Sequence, residues 1–183
     1  LYLFKQATWA LLGLALVPLM MKIDYRTYRQ PAVIWTGLAV VSIALVAVLF
    51  GHSRNGANRW LGFGSLGVQP SELAKIVVIL FIAALLERRM DRIDEPAYSL
   101  LPIGIVLGVI VALILREPDL GTSVSIVVIA AVMIFAAGID YRYVAAVAMA
   151  AAPALYLLLA FSEYRWRRVM AFLNPWADPQ GDG

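Results

Sequence analysis

The chain has 183 residues, 62% of them hydrophobic and 15% charged, with a net charge of +3. Soluble domains carry roughly 25% charged residues, so this composition excludes one and places the chain among polytopic integral membrane proteins. The absence of cysteine rules out a disulfide framework or thiolate metal site, and the single histidine, His52, argues against a histidine metal cluster or a Ser-His-Asp triad.

A hydrocarbon core of roughly 30 Å needs about 17–20 apolar residues in a helix. Six runs meet that length. The first lies within 1–21, with Lys5 and Gln6 near its start and Pro18 as a kink point. The second is 32–50 and carries no charge. The segment 51–71 is long for a connection and includes Asn55-Gly56, a turn signal, and Arg59-Trp60, which suits an interface with headgroups. Gln69-Pro70-Ser71-Glu72 then opens a helix, with proline and an acidic residue where a helix N-terminus favours them. The third run is 72–88, with Glu72 and Lys75 in its first turns. The fourth is 99–115, the fifth 122–138, and the sixth 143–161 with Pro153 inside it. Backbone groups in lipid must bond internally, so all six are expected to be helices of an all-α fold, residues 1–161 forming a six-helix membrane segment. The chain begins at Leu1 with no signal-peptide pattern and reads as an internal piece of a longer protein.

Six spans put segments 22–31, 87–98 and 139–142 on one face, and 51–71, 116–121 and 162–183 on the other. The basic residues divide almost evenly, seven against eight, so the positive-inside rule gives no orientation. Basic residues held on both faces point to an anionic partner, lipid or phosphate, before nucleic acid.

The chain closes on Phe172-Leu173-Asn174-Pro175-Trp176-Ala177-Asp178-Pro179-Gln180-Gly181-Asp182-Gly183. Prolines fix this backbone and glycines permit tight turns, so the loop is shaped rather than merely connective, and Asp178 sits inside it. Residues 162–183 are read as the start of a large extracellular loop.

Four stretches occur in one order: Asn55-Gly56-Ala57-Asn58-Arg59-Trp60-Leu61; Gln69 to Lys75; Glu117-Pro118-Asp119-Leu120-Gly121-Thr122; and Tyr164-Arg165 to Arg168 leading into the closing loop. Together they resemble the SEDS family (shape, elongation, division and sporulation proteins, such as FtsW, RodA and SpoVE), and Asn-Pro-Trp before Asp-Pro is closer to the FtsW and SpoVE branch. The resemblance implies a roughly ten-span fold, of which this chain covers part. It implies a peptidoglycan glycosyltransferase that polymerises lipid II at the outer face of the bacterial plasma membrane, with the 51–71, 116–121 and 162–183 segments facing outward. Lipid II and an undecaprenyl-pyrophosphate-linked glycan would be substrates. A class B penicillin-binding protein, other division or elongation proteins and membrane lipids would be partners, and nucleic acid would not.

That chemistry needs a base for the attacking sugar hydroxyl and cations for the departing pyrophosphate. Asp178 is the candidate base; its bland reading is an Asp capping a turn before Pro179. Arg59, Lys75 and Arg168 are the candidate substrate-binding cations, Arg gripping phosphate bidentately and Lys acting as a point charge. Lys75 lies inside an apolar helix, where a charge usually faces a cavity or a partner; its other reading is a structural pair with Glu72 at i, i+3. Asp119 reads first as a cap of the fifth helix, and Glu117 is open. No metal cage is evident; a divalent cation, Mg2+ or Mn2+, would serve as pyrophosphate counter-ion. The rival function is a lipid II flippase, which would use a cationic cavity without a base.

Overall fold

Prolines set the starts of three helices and apolar runs set their lengths. The computed structural model describes residues 2–50, 67–93, 95–117, 119–162, 166, 167 and 170, with side chains from residue 6 onward apart from that of residue 96. Seven α-helices and one 3₁₀ turn make up the described residues: α1 Tyr2–Met21, α2 Tyr25–Tyr28, α3 Pro31–Leu49, α4 Pro70–Arg89, the turn Met90–Arg92, α5 Pro96–Arg116, α6 Leu120–Ala136 and α7 Tyr141–Ala160. Pro31, Pro70 and Pro96 occupy the first helical position, where the missing N–H is no loss and the fixed φ suits the helix. Helices α1, α5 and α7 run through Pro18, Pro102 and Pro153.

Residues 1–133 form one compact unit and 134–183 another. In the first, α3, α4 and α5 pack on one another. Helix α3 buries Ile34, Leu38, Val41, Leu45 and Val48, a stripe at spacings of three and four, while Trp35, Val40 and Ile43 on its other sides stay exposed. Helix α4 answers with Ala74, Val78, Phe81 and Ile82. The rings of Trp35 and Phe81 meet in a T-shaped arrangement with centroids 6.1 Å apart. At Gly37 the side chain of Val77 lies close enough that an added Cβ would sit 3.3 Å from Val77 Cγ1. A helix apolar on every side suits a lipid surround, and small residues at the crossing allow close approach there.

Three helices are long and apolar enough to cross a membrane by length and composition: Pro31–Leu49, Ala97–Arg116 and Tyr141–Ala160. Gln6–Met21 and Leu120–Ala136 are shorter apolar helices. Helix α4 has the length, at 20 residues, but carries Glu72 and Lys75 near one end and Glu87, Arg88 and Arg89 at the other. The chain is thus all-helical among its described residues, with three helices of membrane-crossing length and composition.

In the second unit α6 stops at Ala136, followed by Gly138 at φ 94, a left-handed position that suits glycine. Asp140 then caps α7, accepting from Arg142 N at 2.9 Å.

Candidate functional site

The two ends of the first unit are built differently. At the start of α3 and the end of α4, charges stay in solvent. Arg29 Nη1 meets Glu87 Oε1 at 2.5 Å with side chains 60% and 51% exposed. Arg88 donates to the Arg29 carbonyl at 2.9 Å, and Arg89 lies 4.1 Å from the Tyr98 ring centroid while donating to that residue's carbonyl.

At the opposite end, where α4 and α6 begin and α5 finishes, polar groups are buried. Ser71, Glu117, Asp119, Thr122 and Ser123 are five of the six buried polar or charged residues among those described, the sixth being Ser99. Burying polar groups costs free energy unless they are bonded, so this end requires specific partners. Asp119 is the hub. Its Oδ1 accepts from Thr122 N at 3.2 Å, and its Oδ2 accepts from Thr122 Oγ1 at 2.8 Å and from Gln69 Nε2 at 2.8 Å. The backbone bond is the N-cap expected for the fifth membrane run, and a carboxylate there also suits the positive end of the helix. The bond from Gln69 joins the starts of α4 and α6 across 50 residues of sequence. Gln69 stands at the N-cap of α4 but makes no side-chain bond to that helix's own amides; its Nε2 instead reaches Asp119 and, at 2.9 Å, Ser71 Oγ. Ser123 Oγ donates back to the Asp119 carbonyl at 2.9 Å. Glu117, at the C-cap of α5, is fully buried, whereas the neighbouring Arg116 is exposed.

Lys75 lies nearly two turns into α4 at this same end. Its Nζ is 2.7 Å from Glu72 Oε2, with side chains 27% and 54% exposed. The i, i+3 pair is therefore present, about one helical turn along α4 from the buried Ser71. Arg59, Arg168 and Asp178 lie outside the described residues, as do the other closing-loop residues 171–183. Of the expected catalytic and substrate-binding residues, Lys75 lies among the described ones, paired with Glu72, while the start of its helix is joined to Asp119 through Gln69. Sequence reasoning missed Gln69 as the link between them; its signal was a glutamine before proline at a helix start, a position usually given to Ser, Thr, Asp or Asn. Among the described residues, no group of three or more His, Cys, Asp or Glu side chains is placed to hold a metal ion.

The family model for the FtsW, RodA and SpoVE cell cycle proteins matches residues 1–183. The chain is 37% identical over 183 residues to a protein of Geobacter sulfurreducens named "Probable peptidoglycan glycosyltransferase FtsW", covering 100% of this chain and 49% of that relative. A protein of the same name from Legionella pneumophila is 32% identical over 183 residues, again covering all of this chain and 46% of the relative. The chain thus spans about half the length of these curated relatives. Among solved structures, one described as the structural coordination of polymerization and crosslinking by a peptidoglycan synthase complex superposes with a TM-score of 0.76 at 27% identity, covering 98% of this chain and 53% of the other. The rod shape determining protein RodA of Thermus thermophilus gives 0.70 at 28% identity, covering 86% and 50%.

Proposed function

This chain belongs to the FtsW/RodA/SpoVE family of cell cycle proteins, and on that premise we propose that it is part of a peptidoglycan glycosyltransferase that polymerises lipid II at the outer face of the bacterial plasma membrane. The observation that carries the reading is the whole-chain likeness, at 37% identity, to a protein named for that activity. The geometry supports it. A lysine paired with Glu72 is held near the start of α4, at the end of the first unit where the polar groups are buried. The flippase reading has no observation in its favour.

The reaction joins a sugar hydroxyl of one lipid-linked unit to the anomeric carbon of another. Asp178 takes the hydroxyl proton as the new C–O bond forms, and the bond from the anomeric carbon to the pyrophosphate oxygen breaks with inversion. A positioned carboxylate base contributes typically about 10²–10⁴-fold. Lys75, Arg59 and Arg168 receive the charge that grows on the departing pyrophosphate, where fixed cations act most strongly in a site shielded from water. A divalent cation, Mg2+ or Mn2+, would enter as counter-ion of that pyrophosphate. The fold would span the membrane six times within this chain, as part of about ten spans, placing 51–71, 116–121 and 162–183 outside. A class B penicillin-binding protein would supply the crosslinking activity. Cell division fits the named relatives.

The test is Asp178→Ala in the full-length protein, assayed on purified lipid II. Polymer formation is expected to fall by about 10²-fold or more. Polymerisation at the unmodified rate would remove Asp178 from the chemistry.

A further inference from the structure

We propose that Gln69 and Asp119 are a positioning pair for Lys75, a role that rests on Lys75 being a substrate contact. The first turn of a helix has amides without intrahelical partners and is where helices fray. Gln69, at the N-cap of α4, makes no side-chain bond to those amides. Its side-chain amide bonds instead to Asp119 Oδ2 at the start of α6, at 2.8 Å, and to the side chain of Ser71 in the first turn of α4, at 2.9 Å. Asp119 in turn is only 8% exposed and is fixed to the start of α6 by both the N–H and the hydroxyl of Thr122. A hydrogen bond to a buried carboxylate is among the stronger ones available to an amide.

The consequence runs along α4. The third helical residue is Glu72, and its carboxylate holds Lys75 Nζ at 2.7 Å. Six residues separate Gln69 from Lys75, a rise of about 9 Å. Anchoring Gln69 to α6 pins the turn that carries Glu72, and Glu72 aims the ammonium. Without the anchor that turn frays and the ammonium loses its fixed direction. Neither Gln69 nor Asp119 is assigned any contact with substrate; they act through Lys75.

The experiment is a mutant cycle in the full-length protein, with lipid II polymerisation measured per unit of folded protein recovered by size exclusion. Gln69→Leu severs the bridge and leaves the Thr122 bonds to Asp119 in place. It is expected to lower the rate at saturating lipid II by ~10-fold, since small displacements of a positioning group cost rates of that order or more. In a Lys75→Gln background the same change is expected to cost less than about twofold, because the group it positions is gone. Ser123→Ala, which removes a neighbouring buried bond without touching the bridge, should stay within about twofold of the unmodified rate. The pair Gln69→Glu with Asp119→Asn, which again opposes one carboxylate to one amide, should recover most of the activity, while Gln69→Glu alone faces two carboxylates and should not. A Gln69→Leu protein at full rate, or losses that add in the Lys75→Gln background, would overturn the positioning role while leaving the polymerase reading intact. No polymer from the unmodified protein would instead overturn that reading and this role with it.

Discussion

Replacing Lys75 by Gln separates the two readings of that lysine, because the structure bounds what a structural role can supply. The Glu72–Lys75 pair is an i, i+3 contact at 2.7 Å, with Glu72 54% exposed and Lys75 27% exposed. Pairs of this kind stabilise a helix by about 0.2–0.5 kcal/mol, and solvent screening of the half-exposed carboxylate keeps the value at the lower end. In a chain of roughly 150–250 residues 1 kcal/mol moves the melting midpoint by roughly 2–4 °C, and by less in a longer one, so Lys75→Gln should shift it by about 2 °C or less. If Lys75 receives charge from the departing pyrophosphate, its loss removes one preorganised donor from the transition state. Such a donor is typically worth about 10²–10³ in rate, or about 2.7–4 kcal/mol. The functional reading thus predicts an effect several times larger than the ion pair could produce. Polymerisation of lipid II and thermal unfolding in detergent, measured on the same preparations, give the comparison. Glu72→Gln should match Lys75→Gln in stability and lose less activity, since it leaves the cation in place. A Lys75→Gln protein that polymerises at nearly the unmodified rate, whatever its stability, would refute the substrate role.

Two further outcomes concern packing. Gly37→Ile drives a side chain into Val77, which an added Cβ already meets at 3.3 Å; overpacking of this sort costs about 1–3 kcal/mol. Detergent unfolding should show that loss, and Val77→Ala should return part of it; absence of any relief would show that α3 and α4 do not meet at this point. At the other end, Glu87→Ala breaks the Arg29 pair, both of whose side chains are more than half exposed. The loss should be under about 1 kcal/mol and shrink further in high salt; a larger, salt-independent loss would mean the pair is shielded from water.

The helices were the legible part of the sequence. The expected runs 32–50, 72–88, 99–115 and 143–161 lie on α3, α4, α5 and α7, each within three residues at either end. Apolar length fixes the body of such a helix, and Pro31, Pro70 and Pro96 fix three of the starts by a purely local rule. The Glu72–Lys75 pair was legible for the same reason, since residues three apart share a helix face. Helix α2 was not foreseen, because a four-residue turn capped by Asp24 has no apolar period to announce it. The Gln69–Asp119 bridge was not foreseen either: it spans 50 residues, and nothing in either local sequence names the other.

The same limit explains why counting charges failed to orient the chain. Seven basic residues against eight is a tie in number, but number is not what distinguishes the ends of the first unit. At one end Arg29 and Glu87 meet in solvent, where a pair contributes little and could be replaced at little cost. At the other, Ser71, Glu117, Asp119, Thr122 and Ser123 are taken out of solvent, and a buried polar group costs about 1–3 kcal/mol wherever its bonds are not made. Stability alone would favour apolar side chains at those positions. A chain that concentrates buried polar groups at one end of a helical unit must bond them there, and the Gln69–Asp119 bond together with the Thr122 bonds to Asp119 does so. That asymmetry depends on burial, which no count of charges reports and which arises only once α4 and α5 pack and Gln69 reaches Asp119 at the start of α6.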